Sequence, residues 1–241
     1  MKKIAFIPAR YAATRFPGKL MQKIGDQTII SMVYNNARKM NLFDDVIVVT
    51  DSDIIAEEID RIGGKFIKSK HEHQSGSDRI AEACKDMQVD IVVNIQGDEP
   101  FIKKQPLEDL VKSFEDGNVG VASLMQKFPE NESHENSNIV KVVCNRFNDA
   151  LYFSRSVIPY KRNKDAEEIL YRHIGVYAYR KEVLLQFTTW PMGMLEKMEM
   201  LEQLRYLENG VSIRMIETSE ASVGIDTPED LKKAISFYNK D

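Results

Sequence analysis

Four short apolar runs punctuate the first hundred residues: KIAFIPA, DVIVVT, KFIKS and VDIVVNI. Their apolar positions are continuous rather than alternating, the pattern of strands buried on both faces of a parallel sheet. Between them lie segments with helical spacing. TIISMVYNNARKM places Ile29, Met32, Val33, Asn36 and Ala37 on one face. DIIAEEIDRIGG follows Asp51 or Ser52 as a helix cap and closes on Gly63-Gly64. GSDRIAEACKDM reads as a third helix with Ser77 as its cap. Strand–helix alternation of this kind predicts an α/β fold with helices on both faces of a mostly parallel sheet.

After about residue 119 the pattern changes. VGVASLMQKF, NIVKVVCN, ALYFSRSVIPY and LYRHIGVYAYRKE alternate apolar and polar positions, which predicts antiparallel or mixed strands. MLEKMEMLEQLRYLENG reads as one strong helix closed by Gly210, with Leu195, Met198, Leu201, Leu204 and Tyr206 as its packing face. VSIRMIE reads as a strand, and TPEDLKKAISFYNK as a helix with Thr227 as N-cap and Pro228 in its first turn. With no linker or repeat in view, residues 1–241 read as a single domain. Residues 1–118 form its parallel half and 119–241 a mixed or antiparallel extension.

Composition narrows the function classes. The net charge is −4, which disfavours nucleic-acid binding by bulk charge, although 33 Lys and Arg residues leave room for a local positive pocket. No run approaches the length of a membrane span, and MKKIAFIPAR is broken too early to be a signal peptide, so a cytoplasmic protein is expected. Two cysteines, Cys84 and Cys144, build no disulfide framework and read as apolar fillers.

In parallel α/β sheets, ligands gather at the carboxyl ends of the strands. That edge collects PARYAATRFPGK, TD, HEHQSGSDR and QGDEP. Arg10, Arg15 and Lys19, with small residues and Gly18 between them, suit a polyphosphate, yet the loop is neither a Walker A motif nor GxGxxG. His71 and His73 have no third ligand at zinc-like spacing. The adjacent carboxylates Asp98 and Glu99 read either as a polar turn or as the edge of a hard-cation site.

The segments IPARYAATRFPGK, HQSGSDRIAE, VNIQGDEP, ALYFSRSVIPY, RHIGVYAYR, LEKMEMLEQLRYLENG and GIDTPEDL, in this order, resemble the 3-deoxy-manno-octulosonate (Kdo) cytidylyltransferases among the sugar nucleotidyltransferases. The resemblance implies a Rossmann-like nucleotide-diphospho-sugar transferase fold. It also implies a Mg²⁺-dependent reaction in which Kdo and CTP give CMP-Kdo and pyrophosphate. Arg10, Arg15 and Lys19 would hold the triphosphate, with Gln74, Ser75, Gly76 and Arg79 lining the CTP pocket. Asp98 and Asp226 would hold Mg²⁺ and, with the three cations, form the catalytic set, although no spacing in the sequence shows that the two aspartates meet. Gln96, Arg155, His173, Tyr177, Glu199, Glu202 and Gln203 would line the sugar site. A homodimer through the strands near ALYFSRSVIPY is implied as well. Departures from the family pattern are apolar: Phe16, and Leu20-Met21 after the lysine. Other readings remain open at this point: the same chemistry on 8-amino-Kdo or a sialic acid, or a catalytically silent nucleotide-binding protein. Glu99, His71 and His73 have no assigned role.

Overall fold

The computed structural model describes residues 1–12, 16–71, 73, 75–129, 132–165, 169–220 and 224–239. The chain forms two compact units, one from Met1–Lys104 with Ser222–Asp241, the other from Gln105–Ala221. The first boundary thus falls earlier than residue 118, and the C-terminal segment belongs with the first unit.

The first unit begins with β1 (Lys3–Ala9), a single 3₁₀ turn at Lys19–Met21, and a two-residue hairpin, β2 (Lys23–Ile24) and β3 (Gln27–Thr28). Then come α1 (Ile29–Lys39), β4 (Asp45–Thr50), α2 (Asp53–Arg61), β5 (Phe66–Lys68), α3 (Gly76–Cys84) and β6 (Ile91–Asn94). β1 pairs in parallel with β4 on one side and β6 on the other, and β4 pairs in parallel with β5. The continuous apolar runs are explained by burial: Ile4, Ala5, Phe6 and Ile7 of β1 and Ile91, Val92 and Val93 of β6 expose 1% or less. Each of the Ile, Val and Phe side chains among them contributes about 1.5–3 kcal/mol. The chain steps from β1 to β4 to β5, then returns across β1 to β6. Right-handed crossovers therefore place α1 and α2 on one face and α3 on the other. The loops after β1 and β6 leave neighbouring strands side by side at the carboxyl edge.

Helix starts follow the chemistry of their caps. Thr28 caps α1 through the Ser31 N–H, and Ser52, rather than Asp51, caps α2 through Ile55 N–H. The cap of α3 is Ser75, two residues before the expected Ser77: Ser75 is extended and its hydroxyl accepts from Asp78 N–H at 3.1 Å. Ser77 lies inside the helix and is buried. Buried Glu58 of α2 accepts from the hydroxyls of Thr28 (2.7 Å) and Ser31 (2.6 Å), tying the two helices on one face together.

The second unit holds α4 (Lys104–Lys112), β7 (Val121–Lys127), β8 (Lys141–Cys144), β9 (Ala150–Ser154), β10 (Tyr171–Arg180), α5 (Lys181–Phe187), α6 (Met194–Glu199), α7 (Leu204–Glu208) and β11 (Ile213–Glu217). β10 pairs antiparallel with β7 and β8, β8 antiparallel with β9, and β11 parallel with β7, the mixed sheet expected from alternation. α4 and α5 are short helices that the pattern did not predict; Pro106 in α4 disguises its start.

MLEKMEMLEQLRYLENG is not one helix. It breaks after Glu199, where Met200 adopts a left-handed conformation (φ 53°), and resumes at Leu204. The carbonyls freed at the break are taken by Arg155, which donates to Glu199 O at 2.7 Å and Met200 O at 3.4 Å. Across the break, Arg205 of α7 makes a buried bidentate pair with Glu196 of α6 (2.6 and 2.7 Å). Gly210 closes α7 at φ 74° as predicted. The last helix, α8 (Pro228–Tyr238), returns to the first unit, where Phe237 meets Phe101 edge-on at 5.1 Å.

Candidate active site

The carboxyl edge of the first unit is built by close backbone approach. Gly97, just beyond β6, lies against β1: a Cβ there would sit 3.2 Å from the Pro8 carbonyl oxygen. Gly76, opening α3, is equally close to the Pro8 ring. Gly18 takes φ 66° and donates its N–H to the Tyr11 carbonyl at 3.0 Å, closing the loop after β1. A larger residue at Gly97 or Gly76 would crowd Pro8, and one at Gly18 would strain its left-handed backbone.

A cleft at this edge is lined by Pro8, Ala9, Arg10, His73, Ser75, Gly76, Arg79 and Gln96. Five of the predicted residues are therefore gathered here: Arg10, Ser75, Gly76, Arg79 and Gln96. The start of α3 contributes its positive end. Arg79 is buried and its guanidinium is held by Asp51 (2.7 Å) and Ser69 (3.1 Å), at the ends of β4 and β5. Burial alone would raise the Asp51 carboxyl, but the bond and charge of Arg79 outweigh it and hold the group below its ordinary range. In the sequence Asp51 reads as a possible helix cap and as part of the TD segment at the sheet edge. The sequence signal for its true partner was its place on the same strand edge. His73 bonds Glu82 through Nε2 at 2.8 Å, and His71 lies 3.9 Å from the same carboxylate. Arg15 and Gln74 lie outside the described residues.

Beside the cleft, Asp98 and Asp226 meet, which sequence spacing did not reveal. The Ile225 N–H donates to the Asp98 carbonyl at 3.0 Å, and the Ile225 side chain is fully buried, so the segment before α8 is fixed against the loop after β6. Thr227 and Asp230 cap α8 between themselves: Asp230 accepts from the Thr227 hydroxyl at 2.8 Å, and the Thr227 hydroxyl accepts from Asp230 N–H at 3.2 Å. Asp226 is thereby not the cap. Its carboxylate accepts from Lys19 Nζ at 2.9 Å, and Asp98 accepts from the same ammonium. Burial would lower the Lys19 ammonium, but the two carboxylates outweigh it and raise it above its ordinary value.

Two carboxylates converging on one cation fit Mg²⁺, which takes one or two carboxylates and completes its shell with phosphate oxygens and water. Among the described residues no group of three or more His, Cys, Asp or Glu side chains could hold a metal by itself. A nucleotide's phosphates would have to supply the remaining ligands.

In the second unit, a bulge in β10 between Ile174 and Tyr177 brings His173 and Tyr177 to one side, rings 5.3 Å apart. Ser123 of β7 fills the bulge. Its hydroxyl donates to the Val176 carbonyl (2.9 Å) and lies 2.9 Å from His173 Nε2. Burial pulls the His173 pKa down to about 3. Burial first, then Tyr179 and Glu202, hold the Tyr177 hydroxyl well above its usual range. His173, Tyr177 and Glu202 are thus neighbours, and buried Gln203 stands at the start of α7. Ser123 escaped the sequence reading because strand register is not written in a single strand.

Arg155 and Glu199 form a separate group. The Glu199 carboxylate accepts from the Ser154 hydroxyl (2.6 Å) and Arg155 N–H (3.0 Å). The Arg155 guanidinium donates to three backbone carbonyls, those of Glu199, Ser137 and Met200. Here its role is to hold the α6–α7 break.

A family model for cytidylyltransferases matches residues 4–213. The 3-deoxy-manno-octulosonate cytidylyltransferase of Flavobacterium johnsoniae is 55% identical over 97% of both chains, and that of Bacteroides thetaiotaomicron 45% identical over 98% of both. The solved structure of a CMP:2-keto-3-deoxy-manno-octonic acid synthetase complexed with CTP superimposes with a TM-score of 0.94 at 38% identity, covering 100% of this chain and 99% of that one. Identity at this level over the full length of the fold leaves one conclusion: the chain belongs to the 3-deoxy-manno-octulosonate cytidylyltransferase family.

Proposed function

We propose that this chain transfers CMP from CTP to the anomeric hydroxyl of Kdo, giving CMP-Kdo and pyrophosphate. The observation that carries the reading is the meeting of Lys19, Asp98 and Asp226 beside the cleft lined by Arg10, Ser75, Gly76 and Arg79. Such a site has the parts that phosphoryl transfer needs: cations for a polyphosphate and carboxylates for its metal. The names of the relatives, and the CTP in the solved complex, supply the nucleotide and the sugar acid.

In this reading Arg10, Arg15 and Lys19 bind the β- and γ-phosphates and neutralise charge on the departing pyrophosphate. The positive end of α3 and the Ser75–Gly76 backbone receive further phosphate or ribose oxygens. Arg79, held rigid by Asp51 and Ser69, presents a fixed donor to the nucleotide. Asp98 and Asp226 would hold Mg²⁺, which when bound supplies charge screening at the α-phosphate and acidifies the attacking hydroxyl. In the second unit, His173, Tyr177, Glu202 and Gln203 provide donors and acceptors for the sugar hydroxyls. Neutral His173 acts as a hydrogen-bonding group rather than a cation.

The product would supply activated Kdo for lipopolysaccharide synthesis in the cytoplasm. No helix among the described residues is long and apolar enough to cross a membrane. A homodimer is supported by exposed apolar side chains on the second unit, Leu151 at 61% and Tyr160 at 87% within ALYFSRSVIPY.

Pyrophosphate release from the purified protein with CTP and Mg²⁺ tests the reading, with Kdo, 8-amino-Kdo and N-acetylneuraminate compared. Release with Kdo and little with the other sugars is the expected result. Release with another sugar would move the substrate. CTP binding without release for any sugar would make the protein a silent nucleotide binder.

A further inference from the structure

We propose that Lys19 is the built-in counter-cation of Asp98 and Asp226, and that a divalent ion arriving with the nucleotide displaces the ammonium from those carboxylates onto the phosphates. The proposal rests on the reading of Asp98 and Asp226 as metal ligands. It adds that the metal and Lys19 compete for the same oxygens, so that the site takes up its ion only together with a polyphosphate.

The geometry provides the competition. One ammonium is bonded to both carboxylates, so an ion placed between them must replace it or crowd a like charge at close range. Charge favours the exchange in one condition only. One ammonium offsets only one of the two carboxylate charges, a divalent ion in its place offsets both, and a divalent ion beside the retained ammonium overshoots. A triphosphate gives the displaced ammonium an equally good partner, which removes the conflict.

The fold also allows the movement. Lys19 is anchored by its backbone, just after Gly18, whose N–H is tied to Tyr11, and just before buried Leu20. Beyond that anchor, its four-carbon stem lets the ammonium shift by several ångströms while the main chain stays fixed. Asp226 is the open side of the pair, with its side chain 51% exposed against 25% for Asp98 and 14% for Lys19. An incoming ion can therefore reach Asp226 first.

The test uses the full chain without nucleotide and Mn²⁺ as probe, with the free ion measured by electron paramagnetic resonance. Wild type is expected to bind Mn²⁺ weakly, and Lys19→Met to bind it at least about tenfold more tightly. Lys19→Arg keeps a cation in place and is expected to stay weak. Lys23→Met, at an exposed position, removes the same net charge and is expected to change affinity by no more than about twofold. Adding Asp98→Asn and Asp226→Asn to Lys19→Met should abolish the gain. Lys19→Met that binds no tighter than wild type, or no tighter than Lys23→Met, overturns the proposal.

If Lys19→Met is poorly folded, its melting temperature carries the same information. Mn²⁺ is expected to restore it, since the ion replaces the charge that the lost ammonium supplied to the two carboxylates, and no restoration overturns the proposal. Wild-type pyrophosphate release is assayed separately. Normal turnover with no Mn²⁺ effect in the variant refutes the counter-cation alone, whereas absent turnover refutes the enzymatic reading.

Discussion

The two units each sequester a lysine, and they do so in opposite ways. Lys19 stands at the carboxyl edge of the first unit with two carboxylates as partners, which raise its pKa against the effect of burial. Lys141 in β8 is fully buried, and its ammonium donates to three backbone carbonyls, those of Asn136, Ile139 and Arg155, at 2.7–2.9 Å. Burial lowers its pKa. Carboxylates within reach of water can exchange one cation for another. Carbonyl dipoles sealed around an ammonium cannot, and losing it leaves them unpaired. The first arrangement suits turnover of ligands; the second holds a loop, a strand end and Arg155 in place.

Changing each partner set should separate these roles. Asp98→Asn is expected to lower the rate of pyrophosphate release by at least about a hundredfold while CTP still binds in the absence of metal, as measured by calorimetry. A near-normal rate would remove Asp98 from the chemistry and make its bond to Lys19 merely structural. Lys141→Met should act on stability instead, lowering the free energy of unfolding by about 2 kcal/mol in urea melts. A large loss of turnover without loss of stability would show that Lys141 is more than a clamp.

The smallest effect sharpens the contrast through pH. His173 has a folded pKa near 3 against an ordinary value of 6.5. The unfolded chain therefore binds the proton first, so stability from this residue is complete above 6.5 and falls as pH drops from 6.5 towards 3. Glu58 in the first unit behaves similarly in a lower window. Its bond to Arg61 and those to Ser31 and Thr28 hold its pKa near 2 against 4.5, so its contribution is lost only below 4.5. His173→Gln should flatten the stability–pH slope between 4.5 and 6.5, where Glu58 contributes no slope. An unchanged slope there would show that His173 titrates normally and sits in water.

The parallel half was legible because β1, β4 and β6 are buried and read as unbroken apolar runs, while β5 at the sheet edge is only half-buried. The site edge followed from the rule for sheet termini, and the motif segments supplied the residues. Local geometry was less readable. The α3 cap fell at Ser75 because Ser75 is the residue with extended backbone, a choice the serines of QSGS do not announce. The break at Met200 is invisible to periodicity, since it is stabilised by Arg155 and Glu199 acting from opposite sides of a long sequence gap. Arg155 reads as a ligand cation in the sequence, whereas its visible bonds here are to three backbone carbonyls, contacts that no sequence pattern announces. The meeting of Asp98 and Asp226 required the Ile225 N–H bond, another contact between distant segments.

That last bond has a consequence for biogenesis. In sequence, the whole of the second unit is inserted between Asp98 and Asp226. During synthesis the first four parallel strands can emerge and collapse with Asp98 in place, but the second carboxylate arrives only with the closing segment. The site is thus completed late, by a long-range closure of the kind that slows folding. A nascent chain would be able to bury most of the core of its first four strands while Lys19 still has only one of its two carboxylate partners.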